Sequence, residues 1–250
     1  MSTPRPSAVE LSVVHADPAF VVLHKPAGMP TQPGAGHLDD TLLNAAMGRW
    51  RRQLEALGVR RDYGLVHRLD RTTSGCVLLA LTAEAYDSLR GQFAAGRVGK
   101  EYLAIVRGRL PGKEGTIEMP LNEVRRGRLK VSVSGRAGET ALTRYFTLAR
   151  VGEFALVRVQ IETGRLHQIR AHLALAGAAI AGDPIYRPLL EPNTSARVGE
   201  VTALPLHAWR LSFSHPVSGQ RIEAVAPPAG GFAAAVQELL PGVPLPSETG

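Results

Sequence analysis

The feature that most constrains this chain is a charge-dense run followed directly by an apolar one. Residues 67–75 read His-Arg-Leu-Asp-Arg-Thr-Thr-Ser-Gly, so one carboxylate, Asp70, stands among arginines and hydroxyl side chains. Residues 76–81 are short and apolar enough for a buried strand. Charged groups beside a core need partners, and loops held by rigid elements concentrate catalytic residues. Asp70 is therefore the first candidate catalytic group, with an ion pair to Arg68 or Arg71 as the simpler alternative.

Hydrophobic periodicity predicts both helices and strands along the chain. Apolar residues at helical spacing predict a helix over 41–57, and a second helix is expected from the cap Thr82 to Phe93. Clean alternation over 154–162 predicts a half-buried strand. Few elements fit strand–helix–strand units, which favours an α+β fold with a largely antiparallel central sheet and flanking helices. A chain of this type is expected to form two lobes around a catalytic cleft.

The predicted organisation is a flexible arm at 1–9, one catalytic domain over 10–228 and a tail at 229–250. The stretch 187–204 reads as a loop with little structure of its own. With 44% apolar residues the 250-residue chain is not expected to be disordered. Its single cysteine, Cys76, excludes a disulfide framework. The absence of an apolar leader or a membrane-length apolar run predicts a cytoplasmic protein that does not bind a membrane.

The charge balance points to a polyanionic partner. The chain has 29 Lys and Arg against 22 Asp and Glu, a net charge of +7, and its pI is near 10.1. Nucleic acid is the first class to consider. Only four of the cations are lysines, and an excess of arginine suits bidentate phosphate contacts and stacking on bases. A genome biased toward arginine codons explains the same excess.

Two further clusters carry possible chemistry. Residues 162–172 place Arg165 and Arg170 at the start of a predicted helix, which favours an anion site for a phosphate or for the Asp70 carboxylate. The alternative is a basic helix face that is simply exposed to water. Tyr102 opens an apolar strand and is either an ordinary strand-edge tyrosine or a platform for a base. The spacing of the histidines does not suit a metal site. The sequence contains neither a serine-hydrolase elbow nor a phosphate-binding loop. A hydrolase in which Asp70 is the catalytic residue is a further reading, but the sequence offers no identifiable group to stabilise an oxyanion.

Taken together, these motifs resemble the RluA-type family of RNA pseudouridine synthases. The match covers about residues 10–228, and several blocks occur in the family's order. The central signature is His67–Gly75. The other blocks are Lys25-Pro26-Ala27-Gly28, Lys100-Glu101-Tyr102 with the strand after it, Thr163–Arg170, Gly182–Tyr186, and Leu206–Ala208 with His215-Pro216.

The resemblance implies isomerisation of a uridine to pseudouridine in a ribosomal or transfer RNA stem-loop, with no cofactor and no metal. It implies that Asp70 is the catalytic aspartate, that Tyr102 stacks on the target base, and that Arg165 pairs with the aspartate. Arg68 would fill the space left by the flipped nucleotide. The alternative is an RNA-binding or RNA-folding factor in which catalysis is incidental, although a pure binder does not need Asp70. The residues expected to contact RNA or assist flipping are His67, Arg68, Arg71, Thr73 and Arg170.

The sequence departs from the family pattern in two places. Many relatives carry a small RNA-binding domain before the catalytic one, whereas here the landmarks start within the first thirty residues. That domain is therefore expected to be absent, and RNA selection would depend on basic residues of the catalytic domain. The early loop has Gln32-Pro33 where many relatives have a histidine before the proline. The basic residues that would select the RNA are Arg49, Arg51, Arg52 and residues 125–130. A monomer is the expected oligomeric state.

Overall fold

The protein is described by a computed structural model that covers residues 3–126, 129–187 and 203–246. The chain forms two compact units. The first comprises Met1–Gly99 and Ala208–Pro227, and the second Lys100–His207 and Pro228–Gly250. This division agrees with the two lobes predicted from the sequence. In the part of the chain that the structure describes, no helix has the length and apolar character needed to cross a bilayer.

The chain contains twelve labelled strands, four α-helices and one 3₁₀ segment in its described part. In chain order they are β1 (Ser12–Ala16), β2 (Phe20–Lys25), α1 (Leu42–Leu57), the 3₁₀ segment Val59–Gly64, β3 (Ser74–Ala80), α2 (Ala83–Ala94), β4 (Gly99–Gly108), β5 (Glu114–Glu118), β6 (Leu121–Arg126), β7 (Leu129–Ser134), β8 (Leu142–Val151), β9 (Phe154–Ile161), α3 (Gln168–Leu175), β10 (Ala178–Ile180), β11 (Leu206–Ser214), β12 (Arg221–Val225) and α4 (Gly230–Leu239).

The first unit is built on the strand order β1-β2-β3-β11, with β12 paired to β11. The pairs β1–β2, β2–β3 and β11–β12 are antiparallel. Strand β3 is buried along its whole length, as expected for the apolar run after the charged motif. Its register with β2 places Lys25 opposite Gly75, at the end where the charged motif enters the strand.

The second unit is built on the strand order β4-β9-β8-β5, with β10 on the other edge of β4. Each of these neighbouring pairs is antiparallel. Strands β6 and β7 form a separate two-stranded ribbon. The core of the unit is apolar and includes Val106, Val157, Ile169 and Leu173. The predicted α+β class with a largely antiparallel sheet is therefore confirmed.

The helix ends follow the sequence signals closely. Thr41 caps α1 in a capping box with Asn44, and Gly58 ends it. The hydroxyl of Thr82 accepts a hydrogen bond from the amide of Ala85 and so caps α2. Such caps satisfy amides that have no partner inside the helix. Both predicted helices are confirmed to within a residue of their ends.

The terminal segments make specific contacts. In the segment predicted as a flexible arm, Arg5 and Ser7 hydrogen-bond to Asn44 of α1 through its side-chain amide and its backbone carbonyl. In the predicted tail, α4 buries Phe232 and Val236, and the ring of Phe232 lies against His207. Most of the predicted loop 187–204, from 188 to 202, lies outside the described residues.

Candidate active site

The loop that carries Asp70 connects the 3₁₀ segment to β3 in the first unit. Its backbone is held on both sides of the aspartate. The amide of Thr73 donates to the carbonyl of Asp70 at 3.1 Å. On the other side, the Thr31 hydroxyl donates to the carbonyl of Leu69 at 2.7 Å, and the Leu69 amide donates to that hydroxyl at 3.2 Å. Asp70 itself is half-buried, so the carboxylate is positioned without being sealed from a substrate.

A buried lysine lies beneath this loop. Lys25 is 0% exposed, and its ammonium donates to the carbonyls of Pro26, Met29 and Arg71 at 3.0, 2.8 and 3.3 Å. Burial lowers the pKa of Lys25 to about 7, while the nearby charge of Asp70 acts in the opposite direction. Lys25 therefore joins the early Lys-Pro loop to the aspartate loop and supplies a cation near Asp70. The sequence analysis named Lys25 only as part of a family block and gave it no role in the site, although a lone lysine at the end of an apolar strand was a signal for one.

The other candidates in this loop differ in exposure. Arg68 is exposed, as a side chain that enters RNA would need to be. His67 stacks on Phe93, and its Nε2 accepts a hydrogen bond from a β3 amide at 3.0 Å. Arg71 is half-buried and Thr73 is buried. The structure thus gives His67 a contact that holds the loop on β3 and places Thr73 in a buried position, and their predicted RNA contacts stay predictions.

Tyr102 and Arg165 both belong to the second unit. Tyr102 is half-buried near the start of β4, where it pairs with Val159 and packs on the unit's core. Lys100, two residues earlier, donates to the carbonyls of residues 162 and 163 at 3.1 and 3.4 Å. Burial and the charge of Arg165 lower the pKa of Lys100. Lys100 therefore bonds the tyrosine strand to the arginine loop, and it is a second buried lysine to which the sequence analysis gave no role.

The loop before α3 is braced by Gln168. Its side-chain oxygen accepts from the amide of Arg165 at 3.0 Å and from the hydroxyl of Thr163 at 2.8 Å. Its side-chain nitrogen donates to the carbonyl of Leu142 and to the hydroxyl of Thr143. His167 adopts a left-handed conformation, with φ of 50°, just before the helix. Arg165 thus lies on a loop whose course is set by a buried amide.

The guanidinium of Arg165 has partners within its own unit. It forms an ion pair with Glu139, and its Nε donates to the carbonyl of Thr140 at 3.1 Å. The Arg165 side chain is 38% exposed and that of Glu139 is 68% exposed. An ion pair so open to water contributes little to stability. It leaves the arginine available for exchange with another anion, and the predicted pairing with Asp70 stays a prediction.

Arg170 lies in a different environment from Arg165. It is 4% exposed and forms a bidentate ion pair with Asp183, at 2.7 and 3.1 Å. Its guanidinium also lies over the ring of Tyr186. The Asp183 carboxylate accepts from two backbone amides as well. Two nitrogens of Arg170 thus donate to an internal carboxylate, and the RNA contact predicted for this residue stays a prediction.

The hydroxyl of Tyr186 connects the ribbon to the arginine loop. It accepts from the amide of Ser132 in β7 at 2.8 Å and lies 3.1 Å from Nδ1 of His167. The hydroxyl of Ser132 donates to the carbonyl of Leu166. The ribbon β6–β7, which carries the exposed cations Arg125 and Lys130, is therefore bonded to the segment that follows Arg165.

The described side chains suit acid–base or nucleophilic chemistry by a carboxylate beside cations. Within residues 3–126, 129–187 and 203–246, no group of three His, Cys, Asp or Glu side chains is placed to hold a metal ion. A half-buried carboxylate in a fixed loop can act as a nucleophile or as a base.

Comparisons with known proteins agree with the motifs. A family profile described as RNA pseudouridylate synthase matches residues 19–175. The RNA pseudouridine synthase YlyB of Bacillus subtilis is 34% identical over 246 residues, covering 96% of this chain and 78% of the relative. The ribosomal large subunit pseudouridine synthase D of Xanthomonas campestris is 40% identical over 228 residues, covering 89% of this chain and 67% of the relative.

A solved structure shows the same fold. Human RNA pseudouridylate synthase domain containing 1 superposes with a TM-score of 0.67 and covers 98% of this chain and 100% of its own, at 24% sequence identity. At that identity the likeness concerns the fold.

Proposed function

The chain belongs to the RNA pseudouridylate synthase family, and on that premise we propose that it isomerises a uridine of large-subunit ribosomal RNA with Asp70 as the catalytic carboxylate. Its relatives named ribosomal large subunit pseudouridine synthase D favour this RNA. The observation that carries the proposal is the fixed, half-buried aspartate held above a buried lysine.

The reaction requires three changes at one nucleotide. The bond between ribose C1′ and base N1 breaks, the base turns, and a bond forms between C1′ and base C5. The proton on C5 then leaves and N1 gains a proton, so the product is an isomer of the substrate. Asp70 acts either by attack on the nucleotide or by abstraction of a proton. Because the base must leave its stack for this chemistry, a flipped nucleotide and a filler for the gap are required.

We assign one role each to Tyr102, Arg68 and Arg165. Tyr102 stacks on the extruded base, and Arg68, which is exposed at the aspartate loop, fills the vacated position. Arg165 keeps the catalytic carboxylate ionised. The exposed cations Arg125 and Lys130 on the ribbon contact phosphates. The protein acts as a monomer in the cytoplasm.

The test of the chemistry is Asp70→Asn. We expect tritium release from ribosomal RNA labelled at uridine C5 to fall to background, while RNA affinity changes less than about threefold, because the amide keeps the side-chain volume. Asp87→Asn, at an exposed carboxylate of the same unit that pairs with Arg61, is the matched control and should keep full activity. An active Asp70→Asn enzyme would overturn the assignment of the aspartate.

The RNA is identified by mapping pseudouridine in a deletion strain and in its complemented counterpart. Loss of a pseudouridine in large-subunit ribosomal RNA, restored by the wild-type chain and not by Asp70→Asn, is the expected result. Loss confined to a transfer RNA would replace the proposed substrate with the other RNA class. Unchanged RNA of both classes, combined with retained RNA binding, would favour the RNA-folding alternative.

A further inference from the structure

A groove in the second unit lies away from Tyr102 and Arg165. It has a volume of about 470 Å³ and is formed by the turn after β4, residues 109–113, and by residues 147–150 of β8. Tyr102 lies near the opposite end of β4 from this turn. Counting the residues from 102 to 109 at about 3.3 Å each places the groove roughly 20 Å from the tyrosine along the strand.

The two walls of the groove are joined by hydrogen bonds. The amide of Thr147 donates to the carbonyl of Lys113 at 2.7 Å, and Nη1 of Arg150 donates to the carbonyl of Gly108 at 3.0 Å. The β8–β9 register shifts between Thr147 and Ala149. Leu148 lies in this irregularity and is 46% exposed, whereas Leu110 is 4% exposed. The groove therefore has a pre-formed shape with an exposed apolar side chain at its rim.

Three cations surround the groove, namely Arg109, Lys113 and Arg150, and all are exposed. None of them forms an ion pair with a carboxylate in the described ranges. Of the two acidic residues nearest in sequence, Glu153 is bound to Arg107 at 2.7 Å, and Glu114 starts β5. Unpaired cations around a partly apolar groove fit a ligand that carries both a negative charge and a flat apolar group.

We propose that this groove binds one nucleotide of an RNA strand that flanks the modified stem-loop, with its phosphate between the cations and its base against Leu148. The volume lies within the range of small-ligand sites. Proteins bind single strands without sequence preference through phosphate contacts from Arg and Lys together with stacking or apolar contact of the bases. At about 3.4 Å per nucleotide, a strand needs roughly six nucleotides to span the distance from Tyr102. The proposal rests on the proposed function, because it assumes that the substrate is RNA.

Crosslinking at Leu148 tests the site directly. The native Cys76 is buried, and burial raises the pKa of its thiol to about 12, so it should not react with a thiol reagent. A Leu148→Cys variant that carries a photocrosslinker should therefore crosslink a large-subunit ribosomal RNA transcript, and a short oligouridylate should compete. Val217→Cys, at a position 62% exposed in the first unit, is the control. Equal crosslinking at both positions would overturn the proposal.

Charge reversal tests the contribution to binding. The variant Arg109→Glu/Lys113→Glu should lose at least tenfold in affinity for the long transcript, and about twofold or less for a transcript trimmed to the modified stem-loop. The magnitude of the slope of log K against log salt should fall by about one, since the contact with one phosphate is lost. The control variant Arg60→Glu/Arg97→Glu makes the same charge change at exposed cations of the first unit. Its affinity should change by the same factor for the long and for the trimmed transcript.

Three outcomes overturn the groove proposal. The first is an equal loss of affinity for both transcripts, and the second is a loss of affinity no larger than in the control variant. The third is an unchanged affinity for both transcripts, and in that case an acidic protein becomes the partner to test. The proposed function is tested by a separate measurement, pseudouridine formation. Absence of pseudouridine formation by the wild-type chain would contradict that function, while the crosslinking result would still decide whether the groove binds RNA.

Discussion

The ammonium of Lys25 lies 3.3 Å from the carbonyl oxygen of Arg71, the residue that follows Asp70. The two residues are 46 positions apart in sequence. Because the ammonium has three N–H donors and meets three carbonyls, one buried cation joins the end of β2 to the turn that carries the aspartate. Its contribution to stability and to the geometry of the loop can be measured.

Lys25 should make stability depend on pH in the alkaline range. Burial lowers its pKa from 10.5 to about 7. Between these values the unfolded chain holds a proton that the folded protein has released, so the free energy of unfolding rises with pH, by up to about 1.4 kcal/mol per pH unit. Below pH 7 both states are protonated, and this dependence vanishes. Urea unfolding of the wild type and of Lys25→Met from pH 6 to 10 should give curves that diverge only above about pH 7.

The matched control for this prediction is Lys113→Met, at an exposed lysine. Its unfolding free energy should run parallel to that of the wild type at every pH. Cys76 and Tyr86, whose pKa values are raised to about 12, are unchanged in both variants and cancel in the difference. A Lys25→Met curve parallel to the wild type would mean that Lys25 stays charged when folded.

Gly75 should be intolerant of a side chain. Its φ is 114°, and a Cβ there would lie 2.1 Å from the carbonyl oxygen of Ala208. Gly75→Ala combines backbone strain with a clash against backbone, and we expect a loss of about 3 kcal/mol of unfolding free energy or more. Gly36→Ala has a similar positive φ of 81° but no atom within 4 Å, so it should lose about 1 kcal/mol. Equal midpoints in urea would contradict the steric explanation.

Arg165 and Arg170 should separate activity from stability. The Arg170–Asp183 pair is buried, and removal of one partner leaves an unpaired charge, so Arg170→Met should lose about 3–5 kcal/mol of unfolding free energy. The exposed Arg165–Glu139 pair contributes about 1 kcal/mol or less. Arg165→Met should therefore unfold like the wild type yet lose most tritium-release activity. Full activity in a folded Arg165→Met protein would contradict its predicted role.

Tyr186→Phe should loosen two segments together. The substitution removes only the hydroxyl, so the amide of Ser132 loses its partner in a buried position, at a cost of about 1–3 kcal/mol. Hydrogen exchange should increase both in β7 and in the loop that contains His167, because both are bonded to that oxygen. Tyr145→Phe, which removes a buried tyrosine hydroxyl bonded to Pro111, should leave both segments protected. Unchanged exchange in β7 of Tyr186→Phe would show that the hydroxyl does not connect them.

Local signals in the sequence predicted much of the fold. The apolar spacing of 41–57, the cap at Thr82 and the alternation of 154–162 each depend on near neighbours, and each matches an element. No bounds were predicted for strand β8, which spans Leu142–Val151. A bulge between Thr147 and Ala149 breaks its alternation, so the period that identifies a strand is lost.

Long-range pairing explains what the sequence did not predict in the site. Nothing near Arg170 in sequence indicates that Asp183 will pair with it, so an arginine that becomes buried in an ion pair and one that stays exposed look alike. The same holds for Lys25 and Lys100, whose acceptors are backbone carbonyls of other loops. Carbonyls are present at every residue, so the sequence does not single out the ones that will receive a lysine.

The division of the chain bears on its biosynthesis. Residues 208–227 complete the first unit, and the second unit takes residues on both sides of that segment. A ribosome must therefore deliver β11 and β12 before the sheet that supports the Asp70 loop can acquire its last strands. Domains usually fold in order of synthesis, but here Met1–Gly99 cannot complete its unit until residues 208–227 have been synthesised. A message truncated before residue 208 would yield a chain in which neither unit is whole.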